Sequence, residues 1–128
     1  FAHDGFRWHT RAFCFKSGIF KDFVLGRINA LKTSFAPPSE VPEDVEWETF
    51  IDVVIGPNPS SPPQKQKAIE HDYQMVNGEA RLRARKPQLY YLNRRLNLNV
   101  KPGDPVSEHQ QIVMLRIENA RKESAEDE

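Results

Sequence analysis

An α+β architecture is predicted for these 128 residues from three observations. Residues 6–15 and 79–86 alternate in side-chain character with a period of two, the mark of strands. Ser61-Pro62-Pro63-Gln64 and Pro87 carry the chemistry that opens helices. Between the two regions, residues 36–45 hold three prolines and no apolar period, so they read as an extended, exposed linker.

From the N-terminus, Trp8, Thr10, Ala12 and Cys14 share one strand face and Arg7, His9, Arg11 and Phe13 the other. Trp8 and Cys14 are expected to pack inward. Lys16-Ser17-Gly18 supplies a turn, and residues 19–28 resume the aromatic and β-branched pattern as the next strand of a hairpin or meander. Residues 29–32 continue it as strand or short turn. After the linker, residues 47–55 read as a strand ending at the breaker Gly56-Pro57-Asn58-Pro59. With Ser61 as its cap, a helix runs through Ala68, Ile69 and Tyr73, and Asn77-Gly78 ends that region in a tight turn. Ala80, Leu82 and Ala84 then oppose Arg81, Arg83 and Arg85, giving a strand with one buried and one wet face. The helix opened by Pro87 repeats Leu89, Leu92 and Leu96 at helical spacing, as core residues do. Residues 99–105 read as loop and 111–118 as a final strand, with a helix capped by residues 107–110 as the alternative. Residues 119–128 form a charged tail expected to be frayed. Residues 1–35 are thus all-β, and residues 46–118 a small α/β sandwich in the order strand-helix-strand-helix-strand.

Composition excludes several function classes. One cysteine, Cys14, allows no internal disulfide and no cysteine-based zinc cage, and it fits a reducing compartment. No apolar run approaches the roughly 20 residues of a membrane span, and no signal peptide is visible. The start at Phe1, already in strand-like sequence, is expected to lie inside a longer protein. His3, His71 and His109 lack metal-ligand spacing, and His71-Asp72 has no nucleophile in context, so neither an enzyme nor a metal or cofactor site is predicted. The net charge of zero conceals alternating blocks. Residues 1–35 carry six basic and two acidic side chains, and residues 36–55 six acidic and no Lys or Arg. Residues 56–101 hold nine basic against three acidic, and residues 102–128 seven acidic against three basic. An anionic ligand is to be sought on the two basic blocks.

The segments Asp4-Gly-Phe-Arg-Trp-His-Thr-Arg-Ala-Phe13 and Phe20-Lys-Asp-Phe-Val-Leu-Gly-Arg-Ile28 resemble the second half of a WYL domain. Trp8, His9 and Thr10 stand where that family has Trp-Tyr-Leu, a departure shared by a branch with His second. Trp47-Glu-Thr-Phe-Ile-Asp-Val-Val-Ile-Gly-Pro57, Ala68-Ile-Glu-His-Asp-Tyr73 and Leu89-Tyr-Tyr-Leu-Asn-Arg-Arg-Leu-Asn-Leu98 resemble the extension that follows it. The resemblance covers residues 1–118 and implies the C-terminal part of a bacterial transcriptional regulator. It implies a partial Sm-like (SH3-like) β-barrel module at 1–35, a linker at 36–45 and a dimer-building extension at 46–118. It further implies a cytoplasmic homodimer, an effector-sensing surface, and operator DNA bound by a winged helix-turn-helix that these residues do not contain. Regulators of this branch often control antiphage defence genes.

On that resemblance, Arg7, Trp8, His9, Arg11 and Arg27 form an effector site for a nucleotide or single-stranded nucleic acid, guanidinium forks beside aromatic planes being suited to phosphate and base. Without it, the arginines read as a solvated strand face. Arg81, Arg83 and Arg85 project about 7 Å apart along one strand face, two residues of strand rise, a spacing that suits successive phosphates. They read equally as a wet face paired with the acidic block between Glu40 and Asp52. A dimerisation module without ligand is the alternative function.

Overall fold

The computed structural model describes residues 1–33, 41–99, 106 and 109–120. The chain divides into two compact units, residues 1–45 and 46–128, and the architecture is α+β.

In the first unit, β1 (Ala2–His3), β2 (Trp8–Cys14) and β3 (Ile19–Val24) form an antiparallel sheet in that order. The sheet is open among the described residues. β1 is short and was not legible in the sequence. It joins β2 through a turn held by the Asp4 carboxylate, whose Oδ1 accepts the N–H groups of Phe6 and Arg7 at 2.7 and 2.6 Å. Gly18, at φ +69°, closes the β2–β3 turn with its N–H 2.7 Å from the Cys14 carbonyl. Two expectations need correcting. The strand expected over 19–28 stops at Val24, because the chain turns into a 3-10 turn at Leu25–Arg27 that puts Arg27 off the sheet. The faces of β2 are also reversed. Trp8 is 55% exposed and Cys14 only half-buried, whereas His9 is 7% exposed. The register sets Arg11 opposite Asp22 and Phe13 opposite Phe20. Phe13 packs edge-on against Phe15 and Phe20, both at 5.2 Å, so the aromatic face outcompetes the one bearing Thr10 and Ala12.

A one-turn helix, α1 (Val45–Glu48), leads into the second unit, where a strand start was expected at Trp47. Acidic Glu46 and Glu48 in its only turn suit a helix N-terminus better than a sheet edge. β4 (Phe50–Pro57) is the central strand of a sheet ordered β5-β4-β6, flanked antiparallel by β5 (Ala80–Arg85) and β6 (Ile112–Asn119). A register shift between Val54 and Ile55 leaves Leu115 as an extra residue on β6, a bulge. α2 (Pro63–Asp72) covers the sheet with Ile69. Pro62, not Ser61, caps it, and no side chain bonds the cap. Gln66 ties the loop down instead, donating to the Ser61 carbonyl at 2.7 Å. Asn77 and Gly78 both lie at positive φ, the tight turn expected there, and Val76 and Glu79 exchange backbone bonds across it. The helix expected at Pro87 begins as a 3-10 turn, Lys86–Gln88, and continues as α3 (Leu89–Arg95).

The core of this unit is one face of β4, Ile51, Val53 and Ile55, with Ile69, Leu98 and Ile112. Ala80 and Leu82 of β5 and Leu89, Leu92 and Leu96 of the α3 region pack against it, as their alternation and spacing predicted. Asn58 is fully buried just after β4: its Nδ2 donates to the Gln110 carbonyl at 2.9 Å and its Oδ1 accepts from Ser60 N–H at 3.0 Å. Gln110 in turn donates to the carbonyls of Asn97 and Ile112, both at 2.9 Å. Gln110 therefore leads into a strand and caps no helix. Asn119 closes β6, and Ala120 N–H bonds the Phe50 carbonyl at 3.2 Å, so the frayed tail cannot begin at 119. Its remainder at 121–128, the linker at 36–40 and the loop at 100–105 lie outside the described residues.

Candidate functional site

Five of the eight residues singled out lie in the first unit. His9 is buried beside Asp4, with Nε2 3.8 Å from Oδ2. The Asp4 carboxyl is held below its usual range chiefly by the N–H of Arg7, against the opposing effect of burial. Arg7 lies 3.8 Å from the same carboxylate with its side chain well exposed. Trp8 points outward and meets His3 edge-on at 4.9 Å. Arg27 is exposed on its 3-10 turn.

Arg11 is the exception. Its guanidinium grips Asp44 in a two-point fork, at 2.5 and 2.9 Å, lies 3.6 Å from Asp22 and stacks over Phe20 at 5.7 Å. Its side chain is 14% exposed and that of Asp44 17%. Planar forks of this kind are among the stronger ion pairs, and partial burial screens them less than a surface pair. An anion that takes the Nε and Nη2 donors of Arg11 must compete with Asp44. That partner was not foreseen, since it comes from the acidic stretch read as linker.

The other three arginines stand on the face of β5 opposite the core. Antiparallel pairing sets Arg83 opposite Asp52, Arg81 opposite Val54 and Arg85 opposite Phe50. β6 adds Glu118 opposite Asp52 and Arg116 opposite Val54. Arg83 bonds Asp52 at 3.2 Å, and Arg81 bonds Glu118. Arg116 forks onto Glu79 at 2.7 and 2.8 Å and reaches Glu118 at 2.7 Å. Arg85 lies between the rings of Trp47 and Phe50, 4.8 and 4.6 Å from their centroids, and donates to the Trp47 carbonyl at 2.7 Å. Val54 is fully buried between Arg81 and Arg116, since the aliphatic stems of long cations cover apolar surface.

This lattice is legible in its electrostatics. Arg81, then Arg116, pulls the Glu118 carboxyl down to about 2. The fork from Arg116 likewise lowers Glu79, and Glu118 raises Arg81. The acidic block does supply partners at Asp52 and, 3.8 Å from Arg85, Glu48. Glu79, Arg116 and Glu118 were missed in the sequence, although Arg116-Ile117-Glu118 puts opposite charges two apart on one strand face. Among the described residues no group of His, Cys, Asp or Glu is arranged to hold a metal ion, and no helix is long and apolar enough to cross a membrane.

Comparison with known proteins agrees with the regulator resemblance. Residues 50–122 match the family model described as BrxR transcriptional regulator, C-terminal dimerization domain. The chain is 38% identical over 117 residues to the DNA-binding transcriptional repressor CapW of Pseudomonas aeruginosa, covering 91% of this chain and 38% of that protein. It is 35% identical over 125 residues to CapW of Stenotrophomonas maltophilia, covering 97% and 42%. Identity to CapW of Escherichia coli (strain KTE188) is 36% over 112 residues, covering 88% and 38%. The chain thus spans about two fifths of the length of these curated relatives.

Proposed function

The chain belongs to the family of the BrxR transcriptional regulator C-terminal dimerization domain, and on that premise we propose that it is the dimerising and effector-sensing portion of a DNA-binding, WYL-type transcriptional repressor. Operator contact falls to a helix-turn-helix outside these residues. Residues 46–118 supply the dimer and residues 1–35 the end of the sensing module.

One contrast carries the assignment of roles. Arg81 and Arg83 bond carboxylates and Arg85 stacks on rings of their own unit, whereas in the first unit Arg7 stands 3.8 Å from Asp4, Arg27 has no ion-pair partner among the described residues, and Trp8 is exposed. A charged layer already bonded within its own unit serves architecture; exposed guanidiniums and an exposed indole in one unit suit an anion with a stacking plane, such as single-stranded nucleic acid or a nucleotide. Arg11 enters that site when an effector anion displaces Asp44. A ligand preferring one dimer geometry then shifts operator affinity by its differential binding.

The test is fluorescence anisotropy of short labelled single-stranded oligonucleotides at low and physiological salt. Saturable, salt-sensitive binding that falls on Arg7→Ala or Arg27→Ala, and tightens on Asp44→Asn, supports the reading. With Asp44→Asn the expected gain is about tenfold, the size of one charge-assisted pair. Absence of binding by a folded dimer favours a dimerisation module without ligand, the reading supported by the internal pairing of the β5 arginines.

A further inference from the structure

We propose that β6 is the dimer contact: it pairs antiparallel with β6 of a second copy about a two-fold axis at Ile117, fusing two three-stranded sheets into one of six. The inference rests on the dimerising reading and names the surface that performs it.

Among the described residues the sheet order β5-β4-β6 leaves two edges unpaired. Open edges present unmet N–H and C=O groups, which an identical strand can satisfy. The β5 edge is a poor choice for self-pairing. Antiparallel pairing of Ala80–Arg85 with its own copy would set the row of Arg81, Arg83 and Arg85 against the same row, and like charges opposite one another destabilise a pair.

On β6 the backbone decides which groups are available. Ala120 N–H bonds Phe50 on β4, so by antiparallel alternation the polar groups of Glu118 and Arg116 also face β4. Those of Ile117 and Asn119 face the open edge. Apolar surface accompanies them: Leu115 and Ile117 are 47% and 45% exposed.

Charge then selects the register. A two-fold axis at Arg116 opposes Arg116 to its own copy, and one at Glu118 opposes two carboxylates. An axis at Ile117 sets Ile117 against Ile117 and each Arg116 against the other copy's Glu118, so opposite charges meet at two symmetric places. The Glu79–Arg116–Glu118–Arg81 lattice continues unbroken across the seam.

Three variants of the full chain, read by sedimentation velocity and oxidative cross-linking, test this. Ile117→Pro removes an outward N–H without touching the ladder to β4, so it should retain its circular dichroism while dimer dissociation rises about tenfold or more, as two lost seam bonds imply. Ile117→Cys, with Cys14→Ser to clear the background, should form a covalent dimer on mild oxidation. Opposed Cα atoms in a hydrogen-bonded antiparallel pair lie about 5.5 Å apart, within disulfide reach. The same pair of changes with Leu115→Cys should stay reduced. A dimer that survives Ile117→Pro undiminished, or that cross-links at position 115 and not 117, overturns the proposed seam while leaving dimerisation standing. A parent chain that is monomeric at every concentration overturns the dimerising reading itself.

Discussion

Glu118 accepts from two guanidiniums, Arg81 and Arg116, and its carboxyl sits at about 2 against an ordinary 4.5. A carboxyl depressed by folding contributes stability that is complete above about pH 4.5 and lost as pH falls towards 2. Unfolding of Glu118→Gln, followed by circular dichroism, should therefore be less acid-sensitive between these values than the parent; an equally steep acid limb would show that the lattice adds nothing in solution. Asn58 is the uncharged counterpart. It is fully buried and satisfied at both ends of its amide. Asn58→Ala strands the Gln110 carbonyl and the Ser60 N–H, at a cost of about 2–4 kcal/mol measurable by urea titration. Neither role was visible in full in the sequence, because Arg81 reaches Glu118 from 37 positions away and the Gln110 carbonyl meets Asn58 from 52.

Among elements, the bulged pair β4–β6 is the most demanding. A Cβ on Gly56 would lie 2.9 Å from Leu115 Cδ1 and 3.1 Å from the Gly78 carbonyl oxygen. Gly56→Ala should cost about 1–3 kcal/mol, and Leu115→Ala in the same chain should recover part of it by freeing the movable neighbour, though not the backbone one. Thermal melts of both single variants and the double complete that cycle. The alternation of Ala80, Leu82 and Ala84 against three arginines revealed β5 and its faces in advance, because one side had no other place to go. The same alternation misled on β2. Both faces there carry aromatic rings, and the winner was settled by Phe20 from the next strand and Asp44 from beyond it. Arg27 was misplaced for a more local reason, the 3-10 turn centred on Gly26.

At the scale of the molecule the two units differ in how much they bury. Among the described residues the second unit holds Val53, Val54, Ile55 and Asn58 with almost no exposed surface, whereas in the first only His9 is buried. Amide exchange should therefore be slowest in β4 and markedly faster through β2 and β3. Comparable protection in both sheets, measured by mass spectrometry, would refute the ranking. The sequence carried the α+β class, the order of the larger elements and the regulator resemblance, all of which depend on local pattern. It could not say which arginines were spoken for, because their acids come from distant strands or, for Arg11, from a segment with no regular pattern of its own.

The arginine row on β5 has a last consequence, for solubility. A sheet with two adhesive rims can add copies without limit and ends as a fibre, while one with a single adhesive rim stops growing once that rim is used. Three neighbouring guanidiniums make β5 the rim that refuses, so growth through β6 closes at two. Neutralising that row with glutamine would leave the fold its apolar face and remove its stop, turning a closed pair into a seed for aggregation visible by light scattering.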